Sequence, residues 1–182
     1  MEYPAQYESK FRLDDGTEIY VRPIRPDDVD RMARLFEEFS DETVYLRFFS
    51  AIKSMSIEKL RYCCEIDYEN HMALVASILN NSDEILVGVA RYVVTPDEGG
   101  GEFAIVVADS WQNRGIGATL LRNLIEAAKD CGIEKLHAPV RYENRKALAM
   151  FRNAGYRFTQ STCEPGVSRV ELGLTEFLDT VA

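Results

Sequence analysis

Residues 112 to 118 read Gln112-Asn113-Arg114-Gly115-Ile116-Gly117-Ala118, a polar, glycine-bearing run suited to holding an anion. It follows an almost continuous apolar stretch, Phe103 to Ala108, the pattern of a strand buried on both faces. After it Ile116, Leu120, Leu124 and Ala128 form one helical row, with Leu121 and Ile125 beside it and Gly132 as a C-terminal stop. The first turn of such a helix has backbone N–H groups without partners and the positive end of the dipole, so it can take a phosphate or pyrophosphate. Gly115 and Gly117 lack a Cβ and let the ligand approach the backbone, and Arg114 adds a fixed positive charge. Two other glycine loops are excluded. No Lys-Ser or Lys-Thr pair follows, as a Walker loop requires, and Leu120 stands where a Rossmann fingerprint needs its third glycine.

The elements that position this loop are legible on both sides. Thr17 to Ile24 alternates as a strand that Pro23 should end, and Val29, Met32, Leu35, Phe36 and Phe39 recur at helical steps behind Asp27 and Asp28. Ser40-Asp41-Glu42 interrupts the helix, and the aromatic stretch from Tyr45 to Tyr62 reads as one or two short helices. Met72 to Leu79 and Ile85 to Val94 form a strand pair across Asn80-Asn81-Ser82-Asp83. Lys135 to Val140 is a further strand. Ala147, Leu148, Phe151 and Ala154 then share a helix side, Asn144 standing at its start as an N-cap candidate and Gly155 at its end before a last strand pair.

Composition limits what the site can serve. At 182 residues with 46% hydrophobic side chains, the chain has material for one globular domain spanning 1–182. A net charge of −9 argues against a nucleic-acid binder, which needs clustered Lys and Arg against phosphates. No run of ~18 apolar residues and no basic-then-apolar leader is present, so neither a membrane span nor secretion is expected. Cys63, Cys64, Cys131 and Cys163 have no metal-ligand or disulfide spacing; a reducing, cytoplasmic setting without metal is the expectation. His71 and His137 read as core or surface histidines.

The order of these segments resembles one family. Gln112-x-x-Gly115-x-Gly117-Ala118 after an apolar strand is similar to the pyrophosphate signature of the GNAT acetyltransferases, and Asn144 through Gly155-Tyr156 resembles their second helix signature. Val21-Arg22-Pro23-Ile24-Arg25-Pro26-Asp27-Asp28, with Phe39 to Phe49, further resembles the GNAT domain of bacterial protein lysine acetyltransferases that silence acyl-CoA synthetases. The likeness covers about residues 17–173. It implies a mixed α/β fold, a mostly antiparallel sheet of six or seven strands with helices on both faces, and acetyl-CoA as co-substrate in a splay between two central strands. Cofactor contacts are then expected from Gln112, Asn113, Arg114, Gly115, Ile116, Gly117 and Ala118, from Asn144, and from the backbone of Ile105, Val106 and Val107.

An amine acceptor defines one more group. A lysine-type amine is protonated at neutral pH, and freeing its lone pair costs roughly 4 to 5 kcal/mol. Glu102 begins the apolar strand, where a carboxylate would border a poorly hydrated cleft, and the resemblance implies that it is the general base. For the leaving thiolate, relatives often have a Tyr where this chain has Phe151; Tyr142 and Tyr156 are the remaining candidates. The favoured acceptor is a protein lysine, such as one on an acyl-CoA synthetase. The alternatives are a small amine or antibiotic, or a non-catalytic acyl-CoA sensor. A homodimer is compatible with the resemblance.

Overall fold

The structure is a computed structural model that describes residues 2–81 and 83–177. Its strands and helices run in the order β1 (Ser9–Arg12), β2 (Glu18–Pro23), α1 (Val29–Glu37), α2 (Asp41–Phe48), α3 (Ile57–Cys64), β3 (His71–Asn80), β4 (Asp83–Thr95), β5 (Gly100–Val107), α4 (Ile116–Asp130), β6 (Lys135–Arg141), α5 (Arg145–Arg152), β7 (Tyr156–Glu164) and β8 (Val167–Phe177). They build one eight-stranded sheet ordered β1-β2-β3-β4-β5-β6-β8-β7. Every neighbouring pair is antiparallel except β5 with β6.

The mixed fold with helices on both faces is as expected; the strand count is eight rather than six or seven. The added strand is β1, whose Ser-Lys-Phe-Arg sequence buries only part of Phe11 at the sheet edge and so has no apolar signature. Ser40-Asp41-Glu42 does more than interrupt a helix. Ser40 Oγ accepts the Thr43 amide at 3.2 Å and starts α2, which puts two acidic residues at the positive end of its dipole.

Strand alternation separates two cores. On one face Leu74, Tyr92, Phe103 and Leu172 meet Leu120, Leu124 and Ile125 of α4; on the other Ala73, Val75, Val89 and Val106 meet Met32 and Leu35 of α1 and Leu60 of α3. β5 therefore contributes to both layers, its odd-numbered side chains toward α4 and its even-numbered ones toward α1–α3.

A buried ion network ties the first helix to the sheet. Arg22 of β2 forks onto Asp28 at 2.7 and 2.8 Å and onto Glu84 of β4 at 2.8 Å, while Asp28 also accepts the Arg25 amide and Arg31. Asp28 is fully buried and Arg22 nearly so. Burial works to raise the Asp28 and Glu84 carboxyls, but Arg22 outweighs it and holds both below their ordinary range. His71, at the start of β3, is pushed down from 6.5 to about 4 by burial and by Arg91.

Two outcomes follow from these groups. Asp28→Ala leaves a buried guanidinium half paired and should cost about 3 to 5 kcal/mol in urea unfolding at pH 7. His71 binds its proton less readily folded than unfolded, so its term is absent above pH 6.5 and lowers stability progressively as pH falls toward 4. That loss, at most about 3 kcal/mol, should shrink in His71→Gln when unfolding midpoints at pH 7 and pH 4.5 are compared.

Candidate active site

The parallel pair β5–β6 is joined only at Gly101/Leu136 and Glu102/His137; beyond these positions the strands part. The edge this exposes follows from ladder alternation. Ala108 N donates to Val87 O of β4 at 2.9 Å, so the even-numbered backbone groups of β5 face β4 and those of Phe103, Ile105 and Val107 face the gap. By the same count, from Tyr142 N on Gly166 O, the gap-facing edge of β6 includes Pro139, which has no N–H to leave unsatisfied. A cavity of about 890 Å³ opens between the strands.

Beyond the end of β5 the chain turns through a short 3-10 segment, Asp109–Trp111, with Asn113 at φ 59° and Gly115 at φ 85°, and then enters α4. A left-handed backbone at Gly115 suits a residue without Cβ. No side chain caps the α4 N-terminus, and its first turn contains no acidic residue. The amides of Gly115 to Ala118 and the positive dipole end are thereby left at the cavity rim. Gly117 has a packing reason as well: a Cβ there would stand 3.3 Å from Met150 Sδ of α5.

Most of the residues singled out in the sequence meet at this cavity. Glu102, Ile105, Val106 and Val107 line it from β5; Gln112, Asn113, Gly115, Gly117 and Ala118 line its rim, and Asn144 lies at its α5 side. Val106 has its backbone turned to β4, so on this strand the cleft-facing main-chain groups are those of Ile105 and Val107. Two residues sit elsewhere. Arg114 pairs with Asp15 of the β1–β2 turn and lies 4.8 Å over the Trp111 ring, and the Ile116 side chain is buried in the core. Trp111 packs against both cores and also lines the cavity.

Gln112 acts as a rivet: its Nε2 donates to Val107 O at 3.0 Å and to Thr43 Oγ1 at 3.1 Å, joining strand, loop and α2. Asn144 is an N-cap, its Oδ1 accepting the Ala147 amide at 3.1 Å. Glu102 stands exposed at the open cavity, in place of the poorly hydrated surroundings expected for it. Phe151 is buried and meets Phe103 edge to face at 5.0 Å. Neither tyrosine candidate lines the cavity: Tyr142 donates to Thr162 at 2.8 Å, and Tyr156 to Glu126 at 3.1 Å. No cysteine lines it either, and burial pushes the Cys64 thiol up to about 12, away from nucleophilic use. Among the described residues no cluster of three His, Cys, Asp or Glu side chains is placed to hold a metal ion, and no helix is long and apolar enough to cross a membrane.

A strand edge left open, leading to an uncapped helix end, is a frame for an extended ligand with a phosphate terminus. Comparison with known proteins identifies it. Residues 30–156 match the model of the acetyltransferase (GNAT) family. The chain belongs to this family. An acetyltransferase of Pseudomonas aeruginosa is 34% identical over 133 residues, covering 73% of this chain and 72% of that protein. Acetyltransferase Pat of Mycolicibacterium smegmatis is 34% identical over 130 residues, 71% of this chain but 38% of that longer protein. The GNAT domain of S. lividans PAT superposes with a TM-score of 0.85 at 31% identity, covering 94% of this chain and 99% of that one. The GNAT chain is accordingly an acetyl-CoA-dependent N-acetyltransferase, with the eight-stranded sheet described above.

Two site features were not picked out from the sequence. Asp109 accepts Ser40 N at 2.9 Å, Ser40 Oγ at 2.6 Å and Thr43 Oγ1 at 3.0 Å, fastening α2 over the cleft. Burial opposes its charge, yet Ser40 and Thr43 hold the carboxyl below the usual range. Arg47, at the end of α2, forms part of the cavity wall. The Ser40 cap was the available signal for α2; a partner 69 residues away leaves none in local spacing. Asp109→Ala should speed amide hydrogen exchange across 41–48 relative to α4, measured by mass spectrometry in the GNAT protein without ligand.

Proposed function

We propose that this acetyltransferase transfers acetyl from acetyl-CoA to a protein lysine in a ternary complex, with Glu102 as general base. The observation that carries the reading is the convergence of three features on one cavity: the free β5 edge, the uncapped α4 N-terminus and the Glu102 carboxylate. The α4 end, with the amides of Gly115 to Ala118, would hold the pyrophosphate. Gap-facing N–H and C=O groups of Ile105 and Val107 would receive the amide-bearing arm as an added strand, and an N–H on this edge would polarise the thioester carbonyl. Asn144 contributes from the α5 side.

Glu102 lies at the strand's near end, where the two strands separate. It would take the amine proton, directly or through one water, as the nitrogen–carbon bond forms. Collapse of the tetrahedral intermediate breaks the carbon–sulfur bond and leaves CoA as thiolate. That departure needs no acid from this chain, which agrees with Phe151 occupying the wall. The protein acceptor is supported by the likeness of the N-terminal third to protein acetyltransferases and by 34% identity to Pat. An acyl-CoA synthetase is the substrate to try first.

The test couples free-thiol release to intact-mass detection of acetylated lysine, with synthetase protein and an amine panel as acceptors. Glu102→Gln should lower kcat by roughly 10² to 10⁴, with the CoA dissociation constant within about twofold of wild type because the side chain makes no phosphate contact. Full activity in this variant would remove Glu102 from the mechanism.

A further inference from the structure

The acceptor side of the cleft contains a charge imbalance that the acetyl-transfer reading does not use. Glu102 and Ala104 face α1–α3, as does Arg91 of β4, which lies opposite Ala104 in the β4–β5 ladder. Arg47, in the last turn of α2, lines the cavity on this side. Arg91 is held by neutral groups, its Nη1 on His71 Nε2 and its Nη2 on Cys63 O, both at 3.3 Å. Arg47 rests against the Phe48 ring at 4.9 Å. Among the described residues neither guanidinium is in an ion pair, although Arg22, Arg25 and Arg31 are each matched by carboxylates.

The nearby groups do not restore balance. His71 is neutral at physiological pH, its affinity for a proton lowered by burial and by Arg91. Arg47 is itself pushed down to about 10 by burial and by Arg91, against the opposing pull of Cys63 and Glu102, so it stays charged at pH 7 while part of its surface still reaches solvent. Glu42 lies at the opposite end of α2, and Asp109 is occupied by Ser40 and Thr43. On this wall Arg47, with Arg91 behind it, stands with Glu102, while Asp67, which also acts on His71, is occupied by the Glu69 and His71 amides. An incoming ammonium meets a repulsive field here unless it brings its own negative charge.

We infer that Arg47, backed by Arg91, selects an acceptor that carries a carboxylate beside its reactive amine, the leading case being a lysine flanked by Glu or Asp in a protein segment. The inference rests on acetyl transfer at this cleft and adds the acceptor's chemistry to it. A guanidinium in a partly desolvated wall, stacked on an aromatic ring, is well suited to bidentate carboxylate recognition. The same field disfavours polyamines and lysines in basic tracts, which separates this site from one built for polycations.

The experiment compares three peptides that differ only at the neighbours of a single lysine: Glu, Gln or Arg. Free lysine and spermidine are added as small acceptors, with wild type, Arg47→Gln and Arg91→Gln as enzymes. Wild type should favour the Glu peptide over the Gln peptide by roughly ten- to hundredfold in kcat/KM, the worth of one hydrogen bond to a charged group. In Arg47→Gln that ratio should fall toward one and its salt dependence should flatten. A preference for free lysine over every peptide would assign the carboxylate to a small acceptor, still in support. Equal use of the three peptides by wild type, or an equal loss on all of them in Arg47→Gln, would overturn the inference. Titration of the same peptides into CoA-loaded protein reads selectivity without turnover. Acidic-peptide preference there, without any CoA release, would fail the catalytic reading alone, whereas absence of preference there fails this one.

Discussion

The site depends on the separation of β5 and β6 after two paired positions. A central strand in a sheet normally spends its backbone groups on both neighbours, and leaving one edge bare inside a protein costs roughly 1 to 3 kcal/mol per unsatisfied group. Here the bare edge is kept at a cavity open to solvent, its far carbonyl, Val107 O, is taken by Gln112, and Pro139 removes a donor from the facing edge. What remains is a short row of directed amide groups without an internal partner. A ligand that contains amides and lies extended would satisfy them, so this gap in sheet pairing is also the proposed binding device.

Alternation along β5 then divides the work. Odd-numbered side chains, Phe103 and Val107 among them, face α4 and anchor the helix whose N-terminus is proposed to receive phosphate; even-numbered ones, Glu102 and Ala104, face the α1–α3 layer, the proposed acceptor side. On the proposed mechanism donor and acceptor would approach one strand from different layers, and the reacting atoms would meet near its open edge. The α2 helix is fastened over this edge by Asp109 and Gln112, both from the loop that also leads to the phosphate end. Loop, lid helix and strand share hydrogen bonds, so displacement of one is felt by the others.

Legibility in the sequence followed the range of the interactions. The glycine loop, the α4 rows and the Asn144 cap are local patterns, determined by spacing within about one helical turn, and they read correctly. Glu102 was located by its place on the strand and by family likeness. The β1 edge strand pairs with β2, next in the chain, but has no apolar alternation to read; the role of Asp109 and the turning of Arg114 toward Asp15 rest on partners far along the chain, 99 residues apart in the last case. A charged residue beside a phosphate loop reads as a phosphate ligand, but its side chain is long enough to serve the neighbouring β1–β2 turn instead. The short α2 was equally obscure, because its aromatic residues pack against tertiary neighbours and leave no clean helical stripe.

The absence of a cleft tyrosine has a consequence for how the reaction is driven. Phe151 fills the wall against Phe103, and Tyr142 and Tyr156 spend their hydroxyls on Thr162 and Glu126. Protonating the departing sulfur is therefore not a task assigned to a side chain near β6. A thiolate leaves far more readily than an alkoxide or an amide, since a thiol has a pKa near ~8.5. The expensive steps are freeing the amine and stabilising the oxyanion, tasks that the proposed mechanism gives to Glu102 and the fixed N–H groups of β5. In the proposed mechanism catalysis would lean on preorganised backbone and one carboxylate, and selectivity would pass to the wall that contains Arg47.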